Sequence, residues 1–237
     1  MRGCNKSSLA AYIASGLSVG RLPDGRSTEP TSCLYYALED DATVLSARLR
    51  DFGADLGRVM VLGDGRDDTL DADVYACAQK TGVAPALVVV DVLAQWVAPR
   101  SIAHAGHVQP SLVAMRRVAQ RHDLAVLLVH HSRREVRKRD DVTSGSALVA
   151  NFARSVLYCT RFGIDRGVVG QRILTAAKSS YGPEPLPLAF EIAAMPALDG
   201  GDATMDLRVT GSMPGHSIES IILEHAAQMR LERQIAT

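Results

Sequence analysis

The chain has no surplus of charge of either sign: Lys and Arg number 26 together, Asp and Glu 26, over 237 residues. That balance excludes a general electrostatic attraction to nucleic acid or to an anionic membrane, and leaves such binding to a local patch. Long hydrophobic runs are missing too. None approaches the roughly 18 apolar residues of a membrane-spanning helix, so no membrane partner is expected. Arg2 and Lys6 ahead of Leu9–Ala14 imitate a signal peptide, but that apolar run is six residues long, short of the about 7 to 15 required. Cysteines are few and scattered, at 4, 33, 77 and 159, with no C-x-x-C and no histidine at zinc-finger spacing. This points to a reduced, cytoplasmic setting. No repeat or low-complexity tract is visible.

What is present is ordinary for a soluble globular protein, with 47% apolar and 22% charged residues. The length suits one α/β domain with a full core. We expect a domain over residues 1–212 and a helical tail over 213–237.

Small and apolar residues from Ser8 to Val19 predict a buried helix, and Gly20 to Pro30 an exposed loop. Cys33 to Leu38 predicts a short strand that stops at Glu39-Asp40-Asp41, and Ala42 to Phe52 a helix capped by Asp40 or Asp41. A second strand follows at Val59 to Leu62 and a helix at Asp71 to Lys80. Ala86 to Val90, rich in β-branched residues and ending in Asp91, reads as a strand buried on both faces. Ser111 to His122 is helical in pattern, and Leu124 to Val129 is another buried strand, ending in His130-His131. Alternating strands and helices predict a parallel sheet with helices on both faces. Glu39, Asp91 and His130 then fall at strand carboxyl ends, the rim where such sheets bind ligands.

Met1 to Leu9 reads M-R-G-C-N-K-S-S-L. In a phosphate-binding loop of the form G-x-x-x-x-G-K-[ST], a glycine-rich turn aims N–H groups at phosphates, the lysine neutralises them and the hydroxyl holds Mg²⁺. Lys6 and Ser7 fill the last two positions. The first glycine would precede Met1, and Asn5 stands where the second belongs. A strand should lead into such a loop, and no residues remain to make one, so a chain truncated inside the motif is expected. Taken alone, the segment also reads as a frayed terminus running into a helix.

In order, then, come lysine and serine opening a helix, a glutamate after the next strand, an aspartate after an apolar strand and a histidine after the following one. The phrases G-C-N-K-S-S-L-A, L-Y-Y-A-L-E-D-D, R-L-R-D-F-G-A-D, A-L-V-V-V-D, L-L-V-H-H, S-G-S-A-L-V-A-N-F-A-R and K-S-S-Y-G resemble those of RecA-like ATPases. The nearest resemblance is to the RepA-type hexameric replicative helicases and primase-helicase ATPase modules of plasmids, phages and integrated elements. It covers Gly3 to about Gly182. It implies a three-layer αβα fold with a mainly parallel sheet, an antiparallel extension and the first strand missing. In that architecture the missing strand is central, so its loss should open a groove between neighbouring strands.

The same resemblance implies ATP and Mg²⁺ as cofactors, with contacts from Gly3, Lys6, Ser7 and Ser8. Lys6 would bind the β- and γ-phosphates and Ser7 would ligate the metal, since phosphoryl transfer is mostly positioning and charge neutralisation. Glu39 would polarise the attacking water; it also reads as an acid at a helix start. Asp91 would hold the metal's water shell; the bland alternative is a strand-ending turn cap. Here Val92 follows it, where the family usually has proline. His130 would sense the γ-phosphate, or is simply a buried core histidine.

Ser132 to Ser146 is the charge-dense tract, with Arg133, Arg134, Arg137, Lys138 and Arg139. By resemblance it faces a ring's channel and touches single-stranded DNA, gripping phosphates without reading sequence; a solvated loop is the alternative. Arg154 resembles an arginine finger that completes a neighbouring subunit's ATP site, and Lys178 lies where a second such cation is often found. Either also reads as a surface ion-pair partner. Beyond Ser155, three further segments look like antiparallel strands extending the sheet edge. The tail places Ile218, Ile221, Ile222, His225, Ala226 and Met229 on one helical face. The function implied is the motor of a ring-forming, hexameric DNA helicase, weakened by its incomplete loop. The alternatives are a nucleotide-independent DNA-binding or assembly module and another RecA-superfamily ATPase such as a recombinase.

Overall fold

Both faces of the strand Ser32–Ala37 (β1) are buried, and alternate residues reach different helices, as a pleated strand requires. The Cys33 thiol lies 3.7 Å from the Ala14 carbonyl of helix Lys6–Ser18 (α1). Ser32 and Tyr36 face the other way, toward Cys77 and Asp73 of helix Leu70–Thr81 (α3), with the Tyr36 hydroxyl 2.9 Å from the Asp73 carboxylate. The sheet is therefore sandwiched between helices. These are features of a computed structural model, which describes residues 5–131, 136, 138–142, 147–161, 171–195 and 204–235.

Helix Ala42–Asp51 (α2) joins α1 on its face, where Ser15 Oγ donates to the Leu49 carbonyl at 3.3 Å. Asp41 caps it by accepting from Thr43 N–H at 2.7 Å. Helix Ala105–His122 (α5) sits beside α3, with His122 Nε2 2.8 Å from Asp71. The strands Val59–Leu62 (β2), Pro85–Asp91 (β3) and Ala125–Val129 (β4) complete a four-stranded sheet of order β2-β1-β3-β4, parallel throughout. Leu34, Val88, Val89 and Val90 are fully buried at its centre, each contributing about 1.5–3 kcal/mol through removal of apolar surface from water. A short helix, Leu93–Val97 (α4), follows β3.

Two expectations need correction. No groove opens between neighbouring strands, because β1 pairs with β3 and β3 with β4. Among the described strands of this sheet, the unpaired edges are instead the outer edges of β2 and β4. For the same reason β4 is not a fully buried strand: Ala125 is exposed, Val126, Leu127 and Leu128 are half-buried, and only Val129 is buried. Apolar composition alone does not reveal whether a neighbour sits alongside.

The chain divides into two units, one built on Asn5–His130 and the other on His131–Ala193 with Leu207–Thr237. The expected antiparallel strands are present. Ser155–Arg161 (β5), Gln171–Ser179 (β6), Leu188–Met195 (β7) and Thr204–Ser212 (β8) follow a short helix Ala147–Phe152 (α6). They form a sheet of their own, of order β5-β6-β7-β8, not an extension of the parallel one. Helix Ile218–Ile235 (α7) packs within this unit. Ile218 and Ile222 join Tyr158 and Ala177, Ile221 meets Ile173, and the His225 ring lies 2.9 Å from the Thr160 hydroxyl. Among the described residues, no helix is long and apolar enough to cross a membrane.

Candidate functional site

Asn5 carries the chain into α1 with φ 57° and ψ 36°. Asparagine is one of the few residues that tolerate this left-handed region, so it bends the backbone where the motif has glycine. The first intrahelical bond runs from Leu9 N–H to the Asn5 carbonyl at 3.0 Å. The N–H groups of Lys6, Ser7 and Ser8 thus precede the ladder, at the positive end of a 13-residue helix whose first turn carries no acid. Such a helix start attracts anions. Lys6 and Ser7 are half-buried there; the Ser8 side chain is buried, so its main-chain N–H is the group it offers. Gly3 lies outside the described residues.

Ser7 and Asp91 are 84 residues apart in sequence, yet Ser7 Oγ donates to Asp91 Oδ1 at 3.1 Å. Tyr35, on β1, donates its hydroxyl to Asp91 Oδ2 at 2.8 Å and lies 3.5 Å from the Ser7 carbonyl. Asp91 is only 4% exposed. Burial pushes its carboxyl pKa above the ordinary value, the Tyr35 and Ser7 hydroxyls pull it back, and the charges of Asp40 and Glu39 add to the rise. Burial, and then the Asp91 charge, holds the Tyr35 hydroxyl well above the usual phenol range, so it remains a donor.

Glu39 is tied to the same point through the main chain. The N–H groups of Leu38 and Glu39 both point at the Asp91 carbonyl, at 2.8 and 3.3 Å. His130, half-buried, follows Val129, the register partner of Asp91 on β4. The start of α1 and the carboxyl ends of three adjacent strands, β1, β3 and β4, thereby form one rim. The Ser7 hydroxyl and the Asp91 carboxylate are hard oxygen donors held together. That fits Mg²⁺, which takes one or two protein ligands and fills its shell with water and phosphate oxygens. Among the described residues no group of three or more His, Cys, Asp or Glu side chains gathers to hold a metal unaided.

The remaining candidates lie in the other unit. Arg133, Arg134 and Arg137 fall outside the described residues. Lys138 is exposed, with a long 3.9 Å contact to Asp140. Arg139 is not a free cation: its guanidinium grips Glu184 with two nitrogens and lies 3.0 Å from Glu219. Arg154 is exposed between α6 and β5 and forms no ion pair among the described residues. Lys178 is engaged, its ammonium donating to the carbonyls of Ala150, Asn151 and Ala153 at 3.0, 3.0 and 2.8 Å. A cation there answers the negative end of α6.

Sequence reasoning passed over Tyr35. A tyrosine inside an apolar strand needs a partner for its hydroxyl, and that requirement was the available signal. It also passed over Asp67, which accepts from the Trp96 indole at 2.6 Å and from the Ser111 hydroxyl at 2.8 Å, pinning the loop before α3.

A family model described as an AAA domain matches residues 1–136. Among curated proteins, none matches the chain.

Proposed function

The chain belongs to the AAA-domain family, a nucleotide-binding ATPase-type module, and from that premise we propose that it is the ATP-hydrolysing motor of a ring-forming DNA helicase of the RepA type, with a weakened phosphate grip. The observation that carries the reading is the hydroxyl–carboxylate pair of Ser7 and Asp91 at the start of α1, with Glu39 fastened beside it through the main chain. Lys6 and the first N–H groups of α1 bind the β- and γ-phosphates. Mg²⁺, when bound, supplies charge neutralisation between them, with Ser7 and Asp91 as its protein-side holders. Glu39 polarises the water that attacks the γ-phosphate, and His130 senses loss of that phosphate. Arg154, exposed and without an ion pair among the described residues, reaches a neighbouring subunit's nucleotide; Lys178 is assigned no phosphate contact. Arg133, Arg134, Arg137 and Lys138 contact single-stranded DNA. The helicase and ring assignments rest on the resemblance in motif order.

Isothermal titration with Mg-ATP tests the site. Lys6→Ala should weaken binding at least about tenfold, roughly 1.4 kcal/mol. Asn5→Gly should tighten it, because glycine takes the left-handed turn and removes a side chain from the phosphate approach. Identical affinity of the parental chain and Lys6→Ala refutes the reading. A second reading, a nucleotide-independent DNA-binding module, is favoured by Asn5 standing at the glycine position. It requires single-stranded DNA retention that ignores ATP, survives Lys6→Ala and fails when Arg133, Arg134 and Arg137 are neutralised.

A further inference from the structure

The two oxygens of Asp91 are held by donors of different character. Oδ1 accepts from Ser7 Oγ, on the half-buried first turn of α1, whereas Oδ2 accepts from Tyr35, which is 0% exposed. A serine hydroxyl turns about one bond and can leave Oδ1 for another partner. The Tyr35 ring cannot follow, because it is clamped in the sheet with its hydroxyl also against the Ser7 carbonyl. A carboxylate left to itself rotates freely about its last torsion, which is broad and roughly two-fold.

We propose that Tyr35 is a positioning residue that locks the Asp91 carboxylate with a single oxygen, Oδ1, turned toward Ser7, and so sets the site's preference for Mg²⁺ over Ca²⁺. The chemistry follows from the two ions. Mg²⁺ keeps a near-ideal octahedron with most of its waters and uses one oxygen of a carboxylate, whereas Ca²⁺ accepts both oxygens in a looser shell. With Oδ2 accepting from Tyr35, two-oxygen binding must share or break that bond, which disfavours it. Groups that orient a metal-site carboxylate typically alter metal affinity about 10- to 100-fold. This inference rests on the nucleotide-binding reading above.

Tyr36 provides an internal control. It is also fully buried and also donates its hydroxyl to a carboxylate, that of Asp73 at 2.9 Å, but on the opposite face of β1. The chain is saturated with a non-hydrolysable ATP analogue and titrated with MgCl₂ and with CaCl₂ by calorimetry, for the parental protein, Tyr35→Phe and Tyr36→Phe. Tyr35→Phe should raise the half-saturating Mg²⁺ concentration about tenfold or more and leave that for Ca²⁺ unchanged or lower. Tyr36→Phe should move neither. Equal shifts for both ions, equal shifts in both variants, or no shift in Tyr35→Phe overturns the proposal. Should Tyr35→Phe fail to fold, difluorotyrosine at position 35 keeps ring and hydroxyl at a small cost in bulk and makes the hydroxyl a stronger acid and donor; it must then shift the Mg²⁺ titration and spare that of Ca²⁺. Failure of the parental chain to bind the analogue defeats the nucleotide reading itself, and this inference with it.

Discussion

Replacing Lys178 by methionine keeps most of the aliphatic stem and deletes the charge, isolating what the ammonium does at the end of α6. It holds three carbonyls, of which Ala150 and Ala153 are reached in partly buried surroundings and Asn151 in the open. Water replaces the exposed bond at little cost. The other two lose a charge-assisted donor at a helix C-terminus, each contributing about 0.5–1 kcal/mol, so the variant should lose about 1–2 kcal/mol in all. For a chain of this size that corresponds to a melting point lower by about 2 to 8 °C, read by circular dichroism. Lys178→Arg should recover only part of the loss, because a flat fork does not converge on three oxygens as a compact ammonium does. A Lys178→Met melting point within about 1 °C of the parental value would refute the cap and return this lysine to the pool of unengaged surface cations.

Asp71 is held below the ordinary carboxylate value by its bond to His122 and then by Arg121. A depressed folded-state pKa stabilises the fold above the unfolded value of 3.8 and loses that contribution as pH falls through the folded value. Asp71→Asn should therefore melt lower than the parental chain near neutrality, and the gap should close under acid conditions; a gap independent of pH contradicts the pairing. Gly65→Ala would drive a methyl to 2.5 Å from both the Trp96 and Tyr36 rings, and overpacking of this kind costs about 1–3 kcal/mol in urea denaturation. Burial pushes the Cys33 thiol up to about 12. In a Cys4→Ser background, a thiol reagent at pH 8 should leave Cys33 untouched until the protein is unfolded; rapid native-state labelling would contradict its burial.

The parallel sheet was legible because its strands are apolar runs cut off by acids or turns. Val59–Leu62 was read with its observed limits, and Ala86 to Val90 within one residue of them. α5 was read six residues short, from Ser111 instead of Ala105, since Pro110 suggests a boundary yet is accommodated inside the helix. α4 is only five residues long, too short for periodicity to register. The order Lys6-Ser7, Glu39, Asp91, His130 gave away the rim, because a parallel sheet must bring its strand ends to one side. The states of Arg139 and Lys178 were not legible, and Tyr35 offered only its hydroxyl's need of some partner. A cation reads alike in sequence whether free or bound, and their partners arrive from 45, 28 and 56 residues away.

The paired N–H contacts from Leu38 and Glu39 to the Asp91 carbonyl place one mechanical joint where two acids are usually mutated one at a time. Side-chain substitution at either residue deletes a carboxylate but leaves this joint intact. Any shift of the β1 terminus therefore drags its β3 neighbour along, and an ester at position 38 or 39 would remove one of these two contacts while leaving the Ala37–Asp91 strand pairing in place.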